Sequence, residues 1–111
     1  MRRPVGRLLL LALFVGCTGE PRAGSFVSMI DNAFNTPVTR VPTGARVIFM
    51  NVGGNPHNAV AADSGWSTAV EIKPGAEETV VFDQPGVYHY YCTFHGTKDG
   101  KGMAGVIVVG D

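Results

Sequence analysis

Beyond residue 24 the chain is a succession of short apolar runs cut by turn residues. Ser25–Ile30 predicts a strand that ends at Asp31-Asn32. Val38–Val41 is a short extended segment stopped by Pro42-Thr43-Gly44, where Pro and Gly suit a tight turn. Arg46–Val52 (RVIFMNV) is dense in β-branched and aromatic side chains, which fit a pleated surface, and it predicts a strand broken by Gly53-Gly54-Asn55-Pro56. Asn58–Ala62 predicts a further short strand, and Ala62–Thr68, around Trp66, a loop. Val70–Ile72, a Lys73-Pro74-Gly75 turn and Glu77–Phe82 follow, and Asp83-Gln84-Pro85-Gly86 turns the chain into Val87–Cys92. Met103–Val109 closes the chain as an almost wholly apolar strand. Strand parity puts Tyr88, Tyr90 and Cys92 on one face, with Val87, His89 and Tyr91 on the other, and pairs Val80 with Phe82. The pattern predicts an all-β fold, a Greek-key β-sandwich of about seven to eight strands, without internal repeats.

Composition agrees with that reading. Fifteen Gly and seven Pro are about a fifth of the 111 residues. After residue 24 no stretch free of both is longer than twelve residues (Ser25–Thr36), which disfavours a helical bundle. The length allows one domain, since most run to roughly 100–150 residues. Nine Lys+Arg against nine Asp+Glu leave no basic surplus, so no nucleic-acid partner is expected.

The amino terminus reads as an address. Arg2, Arg3 and Arg7 precede an apolar run, Leu8–Val15, that is far shorter than the roughly 20 residues of a spanning helix. Phe14-Val15-Gly16-Cys17 resembles the lipobox of bacterial lipoproteins, with Phe14 in place of the usual Leu. The expected organisation is a lipoprotein-type signal peptide at 1–16, lipidation on Cys17, a polar tether at 17–24 and one domain at 25–111. An ordinary signal peptide cut near Ala23 is the alternative. Removing residues 1–16 takes away three Arg and no acid, leaving six Lys+Arg against nine Asp+Glu. If Cys17 carries lipid, Cys92 is the one thiol left, and an unpaired cysteine in an exported protein needs a reason.

Chemistry supplies one. Cys92 and His95 form a C-x2-H pair at a strand end, Met103 lies eight residues further on, and His57 follows the Gly-Gly-Asn-Pro turn. A thiolate, two imidazoles and a thioether are the ligand set of a blue-copper site, trigonal His2Cys with a weak axial Met. Each residue alone has a plainer reading: a buried thiol beside a chance histidine, a turn histidine, a core methionine. Met29 and Met50 are read as core filling, and His89, on the opposite strand face from Cys92, as surface or partner-facing. Structural zinc is a poorer fit, since it takes four strong ligands and a thioether is a weak fourth.

These residues carry a family resemblance. Asn51-Val-Gly-Gly-Asn-Pro-His57-Asn58-Ala-Val60 resembles the first copper-ligand segment of plastocyanins, and Phe82-Asp-Gln-Pro-Gly86 through Tyr91-Cys92-Thr-Phe-His95 resembles the second. Gly102-Met103-Ala-Gly105-Val-Ile-Val-Val109 resembles the closing strand, so the likeness spans roughly 25–110. It implies a cupredoxin-like sandwich with one copper ion, Cu(I)/Cu(II), on His57, Cys92, His95 and, axially, Met103. It further implies Asn58 as the outer residue tying the two ligand segments together, and Tyr91 as a possible electron path, unless that ring is only a half-exposed strand aromatic. Two features depart from the family: Phe94 replaces the Pro before the second His, and Gly96–Gly102 is a longer, glycine-rich loop. The loop leaves open how closely Met103 approaches. Lys98, Asp99 and Lys101 on it read as a solvated turn, with a docking feature as the alternative.

The expected function is an exported blue copper protein, lipid-anchored to a bacterial membrane and facing the periplasm or exterior. It would be a monomer that carries one electron at a time between redox protein partners and is not itself an enzyme. Three alternatives remain at this stage: copper scavenging or delivery, a red-copper enzyme with an open metal position, and a metal-free adhesive sandwich. The first would favour Met- or His-rich tracts, which the chain lacks, and the last leaves Cys92 unexplained.

Overall fold

The computed structural model describes residues 22–110; the expected leader, Cys17 and most of the tether lie outside them. Eight strands follow in order: β1 (Arg22–Ile30), β2 (Ala33–Asn35), β3 (Val38–Val41), β4 (Ala45–Asn51), β5 (Val60–Ala61), β6 (Glu77–Phe82), β7 (Gly86–Gly96) and β8 (Gly102–Val109). They form two four-stranded sheets, ordered β2-β1-β4-β6 and β3-β8-β7-β5. Each contains one parallel pair, β1 with β4 and β3 with β8, so outside the β1–β2 and β7–β8 pairs neighbours in space are not neighbours in sequence, and the chain crosses repeatedly between the sheets. The fold is an all-β, cupredoxin-like sandwich, with no helix among the described residues.

Alternation builds the core. In β4, Ala45, Val47, Phe49 and Asn51 are buried, while Arg46 is exposed and Ile48 and Met50 are half-buried. In β7, Tyr90 and Cys92 are buried with Tyr88 beside them, whereas Val87 and His89 face outward, as parity predicts. The inner faces meet in an aromatic cluster. The Tyr90 ring lies 4.7 Å from Phe34 and 5.4 Å from Phe49, both edge-on, and Trp66 reaches in from its loop to 5.1 Å from Phe82. Such edge-on pairs contribute about 0.5–1.5 kcal/mol each beyond the area they bury.

The structure corrects several sequence expectations. β2 was not expected; Asn32, at φ 71°, reverses the chain after Asp31 and lets Phe34 enter the core. Val70–Ile72 is no strand but contributes one bridge, Ile72 to His57, and of Asn58–Ala62 only Val60–Ala61 joins a sheet. Met29 is wholly buried, but Met50 sits on the outer side of β4, because its parity is that of Arg46.

The largest correction concerns the 96–102 loop. β7 does not stop at Cys92 but runs on to Gly96, and Gly96 pairs with Gly102 at the start of β8. The loop is thereby reduced to a tight tip: Thr97 N–H donates to Lys101 O at 3.0 Å, and Gly100 N–H to Thr97 O at 3.0 Å. Lys101 and Asp99 form only a loose exposed pair on this tip, as a solvated turn would. A Cβ on Gly96 would strike the Met103 backbone, and one on Gly102 the His95 carbonyl. Glycine at both positions is what lets the two arms approach this closely. The extra length therefore does not carry Met103 away; the hairpin returns it to the level of His95.

Candidate metal centre

Three side chains converge at one end of the sandwich. Cys92 projects from the inner face of β7 and is a wholly buried free thiol. Three residues on, where β7 extends past the core, His95 is half-buried. His57, wholly buried, comes from the irregular segment after β4, and its backbone is held by a two-way bridge, His57 N–H to Ile72 O at 3.2 Å and Ile72 N–H to His57 O at 2.8 Å. The Cys92 Sγ lies 3.8 Å from His57 Nδ1 and 3.9 Å from His95 Nδ1, with one potential ligand atom from each residue inside a 4.8 Å span. Met103 is wholly buried in the same core cluster.

The loop that delivers His57 is built on buried polar contacts. Asn51, wholly buried at the end of β4, donates through Nδ2 to Asn55 O and Ile72 O, each at 2.8 Å, and accepts from Gly53 N–H at 2.9 Å. Asn58 spans the two ligand segments. It accepts from Thr93 N–H at 2.8 Å and donates to Thr93 Oγ1 and Val70 O, also at 2.8 Å. Thr93 directly follows Cys92, so this amide ties the histidine loop to the thiol strand.

One partner escaped the sequence reading. Asp31, at the turn between β1 and β2, places Oδ1 2.9 Å from His57 Nε2. Its carboxylate also accepts from Gly54 N–H at 3.1 Å and Asn55 N–H at 3.2 Å, and the hydrogen bond from His57 is the main cause holding its pKa below the ordinary carboxylate value. Nothing in the pattern marks it, since an Asp before an Asn is an ordinary strand-ending turn.

The donor set fits a first-row metal with a taste for sulfur and imidazole. Bonds of roughly 2.0–2.1 Å to nitrogen and 2.3 Å to sulfur, at a trigonal angle, would set N···S separations of about 3.8 Å. The two Nδ1···Sγ distances, 3.8 and 3.9 Å, already have that value. The sequence also matches the family of copper binding proteins, plastocyanin/azurin, over residues 27–110.

The chain belongs to the plastocyanin/azurin family of copper-binding proteins.

Among relatives of this cupredoxin, a plastocyanin of Ginkgo biloba is 27% identical over 89 residues, covering 69% of this chain and 87% of that one. The amicyanin-alpha of Methylorubrum extorquens is 31% identical over 85 residues, covering 73% and 71%. A solved purple cupredoxin from Nitrosopumilus maritimus superposes with a TM-score of 0.65 over 77% of this chain and 98% of its own; at 21% identity it speaks for the fold alone. The cofactor of the cupredoxin is accordingly a single copper ion at a type 1 site.

Proposed function

We propose that this protein is a one-electron carrier, held at the outer face of a bacterial membrane by lipid on Cys17, that passes electrons between redox proteins. The observation that carries the reading is the convergence of Cys92 Sγ with the Nδ1 atoms of His57 and His95 in a frame braced from both sides. Copper, when bound, supplies the one-electron Cu(I)/Cu(II) couple. The chain supplies the rest. Cys92 would give a soft thiolate suited to the reduced ion, the two imidazoles would suit both states, and Met103 would add a thioether. Because the sheets and the Asn51 and Asn58 clamps fix the ligand positions, little has to move when the charge changes.

His95 is the exit. It is half-buried while His57 is wholly buried, and Phe94, 49% exposed, stands next to it as an apolar contact for a partner. Phe94 occupies the position where plastocyanins usually have Pro, and there it enlarges that contact. Tyr91 is half-buried on the outer side of β7 and is the second way out of the site, through the backbone of Cys92. The buried Met103 and the hairpin that returns it to His95 disfavour the open metal position of a red-copper enzyme.

The test is spectroscopic. Copper(II) added to the protein gives an intense blue thiolate-to-copper band that a mild reductant bleaches reversibly, and Cys92→Ser shows none. A protein that binds copper weakly with no such band ends the carrier reading. For the anchor, fatty-acid labelling of the full chain in a bacterial host should mark it and be lost in Cys17→Ala. Unchanged membrane retention without label would remove the lipid from the proposal.

A further inference from the structure

The geometry points to Asp31 as a positioning residue that sets the tautomer of His57 and lowers the reduction potential of the site; the inference rests on the copper reading above. His57 turns Nδ1 to Cys92 Sγ and Nε2 to Asp31 Oδ1, 2.9 Å away. A neutral imidazole carries one N–H, and a carboxylate can only accept, so the proton resides on Nε2 and the Nδ1 lone pair is bare where the metal binds. The wholly buried ring has lost the water that would otherwise compete for that proton.

Asp31 is itself built in. Both carboxylate oxygens accept from the Gly54 N–H, at 3.1 and 3.2 Å, and Oδ1 also accepts from the Asn55 N–H. A Cβ on Gly53 would run into the same carboxylate, so the glycine turn is shaped around it. A fixed carboxylate on the outer nitrogen makes the imidazole a stronger donor and adds negative charge near the metal. Both effects favour Cu(II) over Cu(I). Among the described residues no carboxylate contacts His95, so the tuning enters through His57, from a carboxylate that is itself partly exposed, and leaves the His95 edge free for partners.

Asp31→Asn separates charge from architecture, since its Oδ1 can still accept from Gly54, Asn55 and His57. Spectroelectrochemical titration should show the Cu(I)/Cu(II) ratio of this variant, at fixed ambient potential, about tenfold higher than in the unaltered protein, which is about 59 mV. Copper(II) affinity should fall about ten- to hundredfold, with the blue band and the fold retained. A ratio within twofold of the unaltered protein overturns the inference and leaves Asp31 as a loop staple. Nitrogen-15 NMR of the metal-free protein tests the tautomer independently of copper: His57 should be Nε2-protonated, and lose that bias in Asp31→Ala. An Nδ1-protonated His57 in the unaltered protein also overturns it. If the unaltered protein gives no blue band while His57 has the expected tautomer, the copper reading has failed and the positioning role of Asp31 stands.

Discussion

The two arms that build the metal centre are held by different physics. The carboxyl-terminal arm, β7 and β8 with Cys92, His95 and Met103, is an antiparallel hairpin, paired from Gly86 to Tyr91 and again at Gly96 and Gly102, with a register shift between them that takes in Cys92 and His95. Its positions are set by the ladder on either side of that shift and by close backbone packing at Gly96 and Gly102. The amino-terminal arm, from Asn51 to Ile72, has almost no ladder; His57 is placed by side-chain amides, a bridge to Ile72 and the Asp31 carboxylate. A backbone-held arm tolerates side-chain variation but not an added Cβ at its crossing. A side-chain-held arm has the opposite sensitivity. The contrast makes the thiol the fixed reference of the site and His57 the adjustable ligand.

The sharpest way to break this comparison is at the hairpin crossing. Gly96→Ala sets a methyl against the Met103 backbone and forces the arms apart. Overpacking of this kind costs about 3 kcal/mol, which for a domain of this size lowers Tm by about 12–24 °C. Thermal unfolding of the metal-free protein measures the loss, and the copper spectrum should change because Met103 moves. A stable variant with an unaltered spectrum would show that the crossing does not fix Met103.

Next in size is Asn51→Ala. It leaves Asn55 O and the Gly53 N–H without the Asn51 side chain and takes one of two donors from Ile72 O, which keeps the His57 N–H. Leaving such groups unpaired costs about 2–3 kcal/mol. Hydrogen exchange should locate the damage: the amides of His57 and Ile72 lose protection while those of the β7–β8 ladder keep theirs. Equal loss in both arms would mean that they are one cooperative unit and not two.

Asn58 joins the arms, so the energy of that junction can be isolated. A double-mutant cycle of Asn58→Ala with Thr93→Val should give a coupling of about 1 kcal/mol in denaturant unfolding, because one of their two mutual hydrogen bonds runs through the Thr93 hydroxyl. A coupling near zero would leave the backbone contact, Thr93 N–H to Asn58 Oδ1, as the whole of the tie.

The same division explains what could be read from the sequence. Strands such as Arg46–Val52 and Val87–Cys92 were legible because alternation and β-branched content report a sheet face directly. The ligands were legible because Cys, His and Met carry their chemistry in their side chains, and three quoted segments carry the likeness to the family found over residues 27–110. Asp31 was not, since its role comes only from a fold that brings residues 31 and 57 together. The length of the hairpin was misjudged for a related reason: glycines that suggest flexibility in isolation are, at Gly96 and Gly102, the condition for two strands to meet. β2 is three residues long, too short for any period to show.

The smallest effect sharpens the account of the backbone-held arm. Tyr90 lies two residues before Cys92, buried among Phe34, Phe49 and Trp66, and its hydroxyl has no hydrogen-bond partner among the described residues. If packing and not polar contact holds this strand, Tyr90→Phe should leave stability at neutral pH within about 1 kcal/mol or raise it slightly, since it removes a buried polar group without stranding another. The alkaline limb should then differ. Burial pushes the Tyr90 phenol above its ordinary value, so the folded state keeps it neutral while the unfolded chain ionises near pH 10. The stability tied to that proton is complete below the unfolded value and is lost as pH rises towards and through the raised folded one. Denaturant unfolding across this range should show the unaltered protein falling more steeply with pH than Tyr90→Phe. Parallel curves would mean that the hydroxyl finds a partner in solution and that polar contact contributes to the β7 arm as well.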